Sequence, residues 1–144
     1  MFSEKDRLIV EALKMNSRAT IKELSNETGI PRATVFDRMK KLQEEKIIKN
    51  FTVELDHEKT GNGTLAFILV KFDPHGRQHQ ADVGKSIAKI DGVEEVHIIA
   101  GDWDMLLKAR AKGLKELGEL VVDKLRMVEG VSDSVTCPCF KTIK

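Results

Sequence analysis

Residues 20–45, TIKELSNETGIPRATVFDRMKKLQEE, decide how the first part of the chain folds. Thr20 and Glu23 stand three apart, the spacing of a capping box, in which a hydroxyl and a carboxylate satisfy backbone N–H groups that a helix start leaves unpaired. Ile21 and Leu24 follow on one face of a short helix. Gly29 ends it, because a residue without a Cβ enters the left-handed region at little cost. Pro31 suits the first position of the next helix. That helix is predicted from about Pro31 to Glu45, with Val35, Met39 and Leu42 at i, i+4 and i+7 as its inner face. Its outer face offers Arg32, Ala33, Thr34, Phe36, Asp37, Lys40 and Lys41. Two short helices joined by a tight glycine turn are the helix-turn-helix plan, whose second helix enters the major groove of DNA. Periodicity alone fits equally well a small three-helix core with a solvated charged face.

Upstream, Ser3 and Asp6 form a variant capping box, and Leu8, Ile9, Ala12 and Leu13 make one apolar stripe. This predicts a first helix before the pair. Residues 18–49 hold eight Lys or Arg against five acids, while the whole chain has a formal net charge of only +1. So modest a local excess suits a module that needs a dimer partner to hold DNA through phosphate contacts.

Downstream, residues 51–64 read as a connector with a short strand at Phe51–Leu55 and a loose Thr60-Gly61-Asn62-Gly63 stretch. The remainder alternates strand and helix. Leu65–Phe72 is a strand, Gln78–Ile90 a helix closed by Gly92, and Val93–Ala100 and Trp103–Ala111 are strands joined at Gly101-Asp102. Leu114, Leu117, Val121 and Leu125 mark a second helix ending near Gly130, and Val131–Ile143 is the last strand. The order βαββαβ is the ferredoxin-like split βαβ motif. The predicted class is therefore α+β: a (winged) helix-turn-helix domain over residues 1–50, a hinge strand and linker over 51–64, and a ferredoxin-like domain over 65–144. In that motif both helices cover one face of the sheet. Yet the first strand has Phe67 and Leu69 on one side and Ile68 and Val70 on the other, where a half-solvated sheet should alternate with polar residues. A second copy of the chain is the simplest cover for the open face.

Hydrophobic residues make up 41% of the 144 and charged residues 33%, a balance that points to a soluble globular chain and away from disorder. No apolar run approaches the roughly 20 residues of a membrane span. The N-terminal stretch has no signal-peptide plan, so the expected location is cytoplasmic. There is no G-x-S-x-G, H-E-x-x-H or phosphate loop, and nothing sets a nucleophile beside a base, so an enzyme is not expected. Cys137 and Cys139 flank Pro138 and point to one face of the last strand, which fits two buried thiols or a redox-sensitive pair. Zinc would want four ligands at C-x-x-C-like spacing. No metal or cofactor is expected.

Taken together, these segments resemble the Lrp/AsnC family of transcriptional regulators, also called feast/famine regulators. Asp6, Ile9, Val10 and Leu13 match the family's opening D-x-x-I-L-x-x-L pattern. Arg18 with Thr20–Leu24 is similar to R-x-s-x-x-E-L-A, and Thr28–Val35 with Arg38, Lys41 and Leu42 to its turn and recognition helix. Phe51–Asp56 is similar to the strand leading to the hinge, Gly101-Asp102-Trp103-Asp104 to its G-x-Y/W-D turn, and Glu129-Gly130-Val131 to its late G-V. The chain departs from the pattern at Ser25, at Pro31, and at Lys46, which stands where Gly often ends the third helix. Positive φ there costs a lysine about 1 kcal/mol.

Within that frame, Thr34, Asp37 and Lys41 are placed to reach base edges, with Arg32 beside them, and Ala33 and Phe36 can touch a thymine methyl. Thr20 and Arg38 are candidates for phosphate contact or for fixing the second helix against the third. An internal salt bridge of Arg38 with an acid such as Glu23 is the equal alternative. The resemblance implies double-stranded DNA and a second copy of the chain as partners, with further assembly of dimers into tetramers or octamers. It also implies an amino-acid effector bound between dimers near the Gly101–Asp104 turn. There Asp102 or Asp104 would accept an α-amino group and the Gly101 N–H would face a carboxylate, on the expectation that both carboxylates are unpaired. The rival reading is a small-molecule-binding metabolic regulatory module that does not bind DNA.

Overall fold

Helix α1 (Glu4–Met15) opens with the expected box: the Ser3 side chain accepts from the Asp6 N–H, and the Asp6 carboxylate accepts from the Ser3 N–H in return. This computed structural model describes residues 2–143. It divides into two compact units, Met1–Glu54 and Leu55–Lys144. In the first unit α2 (Ile21–Thr28) begins at Thr20 with a second capping box and ends at Gly29, whose φ of 71° is the left-handed conformation expected of it. Helix α3 (Arg32–Glu44) follows. Pro31 is its N-cap, with ψ at 141°, rather than its first helical residue. Ile9, Ala12, Leu13, Leu24, Ile30, Val35 and Leu42 bury together as one core. Met39 and Ile21 only border it. Lys46 does take positive φ, 55°, and the Ile48 N–H returns to the Leu42 carbonyl to close the helix end.

The strand expected at Phe51–Leu55 is not formed. Phe51, Val53 and Leu55 alternate as a strand should, but alternation only makes a strand where a neighbour supplies the ladder. Among the described residues none pairs with this segment.

The second unit is a four-stranded antiparallel sheet in the order β2-β3-β1-β4. The strands are β1 (Thr64–Phe72), β2 (Val93–Ile98), β3 (Met105–Ala111) and β4 (Val131–Pro138). Helix α4 (Gln80–Ile87) joins β1 to β2. Helix α5 (Leu114–Glu119) runs on as a π-turn (Leu120–Lys124) and a single 3-10 turn (Leu125–Met127). These elements lie in the predicted βαββαβ order, with shorter ends. The last strand stops at Pro138, which has no N–H for a ladder. Helix α4 is shorter at both ends than expected, and its N-cap His79 makes no side-chain cap bond.

One face of the sheet meets the helices. Ile68, Val70, Met105, Leu107 and Ala109 bury there against Val83, Ile87, Leu120, Val121 and Leu125. Gly92 shows how close that packing is: at φ +90°, an added Cβ would lie 2.6 Å from the Arg110 carbonyl oxygen and 2.9 Å from a Leu120 methyl. The other face carries Phe67, Leu69, Leu106, Val135 and Cys137, set by the pairings Phe67–Cys137, Leu69–Val135 and Leu69–Leu106. Phe67 and Val135 remain 39% and 43% exposed, so the apolar strip is uncovered in a single chain. Cys137 is exposed and Cys139 half-buried, not the two buried thiols expected. Cys137 projects from the uncovered face rather than into the helix-covered core.

Candidate functional site

The first candidate surface is the outer side of α3. Because Val35 and Leu42 hold the inner side in the core, Arg32, Ala33, Phe36, Asp37 and Lys41 are left facing solvent, with Thr34 and Arg38 half-buried on the flank. Phe36 is 58% exposed and is not among the residues of the apolar core. Among the described residues Lys41 reaches only Glu45, at 3.7 Å, and Lys40 only Glu44, at 3.8 Å. Such exposed i,i+4 pairs are worth about 0.3–0.5 kcal/mol and exchange readily for another anion.

Two flanking residues are held more firmly. Thr20 donates its hydroxyl and its N–H to one Glu23 oxygen, at 2.8 and 2.7 Å, while its Oγ1 accepts from the Glu23 N–H. Its polar groups are thus occupied within its own cap. These bonds hold the Glu23 carboxyl below its ordinary range, the backbone bond from Thr20 contributing most. Arg38 does form an internal salt bridge, but with Asp6 at 3.2 Å rather than with Glu23. Asp6 was legible in the sequence only as a capping residue. The acid that α3 needed lay 32 positions upstream, on a helix whose packing angle no periodicity reveals.

The second candidate surface is the turn between β2 and β3. Gly101 has φ +126° with nothing near the position a Cβ would take. Asp102 is exposed and Trp103 half-buried, with the Lys71 ammonium 5.5 Å from its ring centre. Asp104 is not the unpaired carboxylate expected. Its Oδ2 accepts from the Phe72 N–H at 2.8 Å. Its own N–H donates to the Val70 carbonyl, and its carbonyl accepts from the Ile99 N–H. The Gln80 side-chain amide reaches that same carbonyl at 3.2 Å. Asp104 therefore ties the turn to the end of β1 and the start of α4, leaving Gly101 and Asp102 as its open side.

Elsewhere in this unit a cleft of about 540 Å³ lies away from the turn, between the 91–94 and 110–112 segments and the end of α5. Its cations Arg110, Lys112 and Lys124 face four acids, Asp91, Glu94, Glu116 and Glu119. At the β2 edge of the open sheet face Lys108 pairs with Glu94 and Glu95, and Arg110 with Glu94. Among the described residues no group of three or more His, Cys, Asp or Glu side chains gathers as a metal site. No described helix is long and apolar enough to cross a membrane.

A three-helix unit of helix-turn-helix plan, followed by a split βαβ unit with an uncovered sheet face, is the architecture of a DNA-binding regulator with a separate second module. Comparison with known proteins agrees. Residues 2–49 match the winged helix-turn-helix DNA-binding model, and residues 65–144 match the Lrp/AsnC ligand binding domain. The chain belongs to the Lrp/AsnC family and is a DNA-binding transcriptional regulator of that type. It is 50% identical over 139 residues to an HTH-type transcriptional regulator of Pyrococcus abyssi, covering 96% of this chain and 93% of that one. It is 36% identical to the HTH-type regulator FL11 of Pyrococcus horikoshii, covering 98% and 91% of the two chains. Among solved structures, a Neisseria meningitidis transcriptional regulator in complex with L-methionine superposes with a TM-score of 0.90 at 26% identity, covering 100% and 93% of the two chains. Bacillus subtilis LrpC shares the fold, with a TM-score of 0.87 at 23% identity over 100% of this chain and 98% of that one.

Proposed function

We propose that this regulator, not itself an enzyme, binds duplex DNA as a homodimer through the outer face of α3 and answers to a small amino acid at the Gly101–Asp104 turn. One observation carries the DNA half of this reading: α3 holds a solvent-facing strip whose side chains contribute little to the fold. Thr34, Asp37 and Lys41 suit base edges, Ala33 and Phe36 the thymine methyl, and Arg32 and Arg38 phosphates. Thr20 would join them only by giving up bonds to Glu23. The dimer rests on the uncovered strip of Phe67, Leu69, Leu106 and Val135, since a stable interface buries about 800 Å² per partner. The effector half is supported by the L-methionine complex of the Neisseria relative and by the chemistry of the turn. Asp102 is free to take an ammonium group, and the open backbone at Gly101 admits a carboxylate.

Fluorescence anisotropy with DNA from upstream of the chain's own coding region tests the first half. Thr34→Ala and Lys41→Ala should each weaken binding while leaving the unfolding midpoint unchanged. Undiminished affinity in both variants would place the DNA face elsewhere. Calorimetry over a panel of amino acids tests the second half, and heat-free titrations throughout would remove the effector from the reading.

A further inference from the structure

We propose that Asp6 is a positioning residue for DNA binding: from the start of α1 its buried carboxylate holds one corner of the Arg38 guanidinium, so that the remaining donors face a phosphate of the duplex. The inference rests on the reading of α3 as the DNA-contacting helix.

Asp6 is the one charged side chain that is buried among the described residues. A capping acid normally sits at a helix start in water, where burial would only penalise it. Here a single oxygen, Oδ2, accepts the Ser3 N–H at 2.7 Å, the Ser3 hydroxyl at 2.6 Å and the Arg38 Nη1–H at 3.2 Å. Burial works against the charged form, but the Ser3 bonds, then the Arg38 and Lys41 charges, outweigh it and hold the carboxyl below its ordinary range. The anion is therefore kept at neutral pH, and it faces α3.

A guanidinium has five N–H donors in a fixed fork. Among the described residues Asp6 is the only hydrogen-bond or ion-pair partner of Arg38, through Nη1. The Arg38 side chain is still 32% exposed, so the fork is anchored at one corner and open elsewhere. Arg38 follows Thr34 by four residues and precedes Lys41 by three, which places it along the flank of the same face. Lys40 and Lys41 hold only exposed partners on their own helix, whereas Arg38 is anchored to a second helix through Asp6. A prearranged side chain forfeits less entropy when it binds. Because the Asp6 charge offsets part of the Arg38 charge, the benefit is geometric: two parallel N–H groups directed at phosphate oxygens.

The test is a cycle of variants in the full chain, with DNA affinity measured over a range of salt concentrations well below every unfolding midpoint. Arg38→Gln should flatten the plot of log affinity against log salt by about 0.9 per bound subunit, one phosphate contact each. Asp6→Asn keeps an acceptor oxygen and drops the charge. It should leave that slope in place and weaken affinity by about two- to tenfold, the scale of immobilising one long side chain. In the Arg38→Gln background Asp6→Asn should add nothing. Arg38→Lys should keep the slope and lose affinity on the same scale, which preserves the test should Asp6→Asn not fold. An unchanged isotherm in Asp6→Asn or Arg38→Lys would overturn the proposal, as would tighter binding in Asp6→Asn, which would mean that Asp6 withholds Arg38 from DNA. An unaltered slope in Arg38→Gln, with Lys41→Ala weakened, would overturn this proposal alone. Unaltered binding in all the α3 variants would overturn the reading of α3 with it.

Discussion

Replacing Asp104 by alanine separates two roles that the Gly101–Asp104 turn combines. The Phe72 N–H lies where β1 loses register with β4, between Lys71 and Phe72, and beyond the last β1–β3 pair, Val70 with Met105. Its partner is the Asp104 carboxylate, at 2.8 Å. Truncation removes a hydrogen bond to a charged acceptor and leaves a half-buried N–H with only water to replace it. The cost is about 1–2 kcal/mol, the lower part of the range for such losses because water can reach the site. In a unit of roughly 60–100 residues each kcal/mol moves the melting midpoint by about 4–8 °C, so Asp104→Ala should melt several degrees lower. Asp104→Asn retains an acceptor oxygen and should lose less than about 1 kcal/mol. Thermal and urea unfolding of both variants, followed by calorimetry with the effector, distinguishes the outcomes. If Asp104→Ala melts within about 1 °C of the unaltered chain, the tie between the turn and β1 contributes nothing and the reasoning fails. If Asp104→Asn is fully stable yet deaf to an effector the unaltered chain binds, the carboxylate acts on the ligand as well as on Phe72.

Two further outcomes follow from other parts of the molecule. Leu69→Lys sets a charge in the middle of the uncovered sheet face, so light scattering should report monomers in place of dimers at micromolar concentration; an unchanged mass would mean that another surface assembles the chain. Because the folded protein holds the Asp6 carboxyl below its ordinary range and so favours the charged form, its contribution to stability is complete above the ordinary carboxylate range, near pH 4, and is lost as pH falls through the lower folded value. Acid unfolding of Asp6→Asn should accordingly show a shallower loss below about pH 4 than the unaltered chain, and identical acid limbs would argue against the depressed carboxyl.

Local rules carried the sequence reading a long way. Both capping boxes, the left-handed turn at Gly29, the strained Lys46 and the βαββαβ order depend on neighbours within a few residues, and sequence spacing shows such neighbours directly. The two-sided apolar pattern of β1 likewise announced a sheet face in need of a cover. Tertiary structure decided what spacing leaves open. It gave Arg38 to Asp6 rather than to Glu23, and it spent Asp104 on the Phe72 amide rather than leaving it to a ligand. It left Phe51–Leu55 without a strand partner and turned Cys137 outward. In each case the partner lies on another element, or is missing from the chain's own fold. Which distant group meets a side chain depends on how helices and strands pack, and the periodicity of one segment carries no information about that.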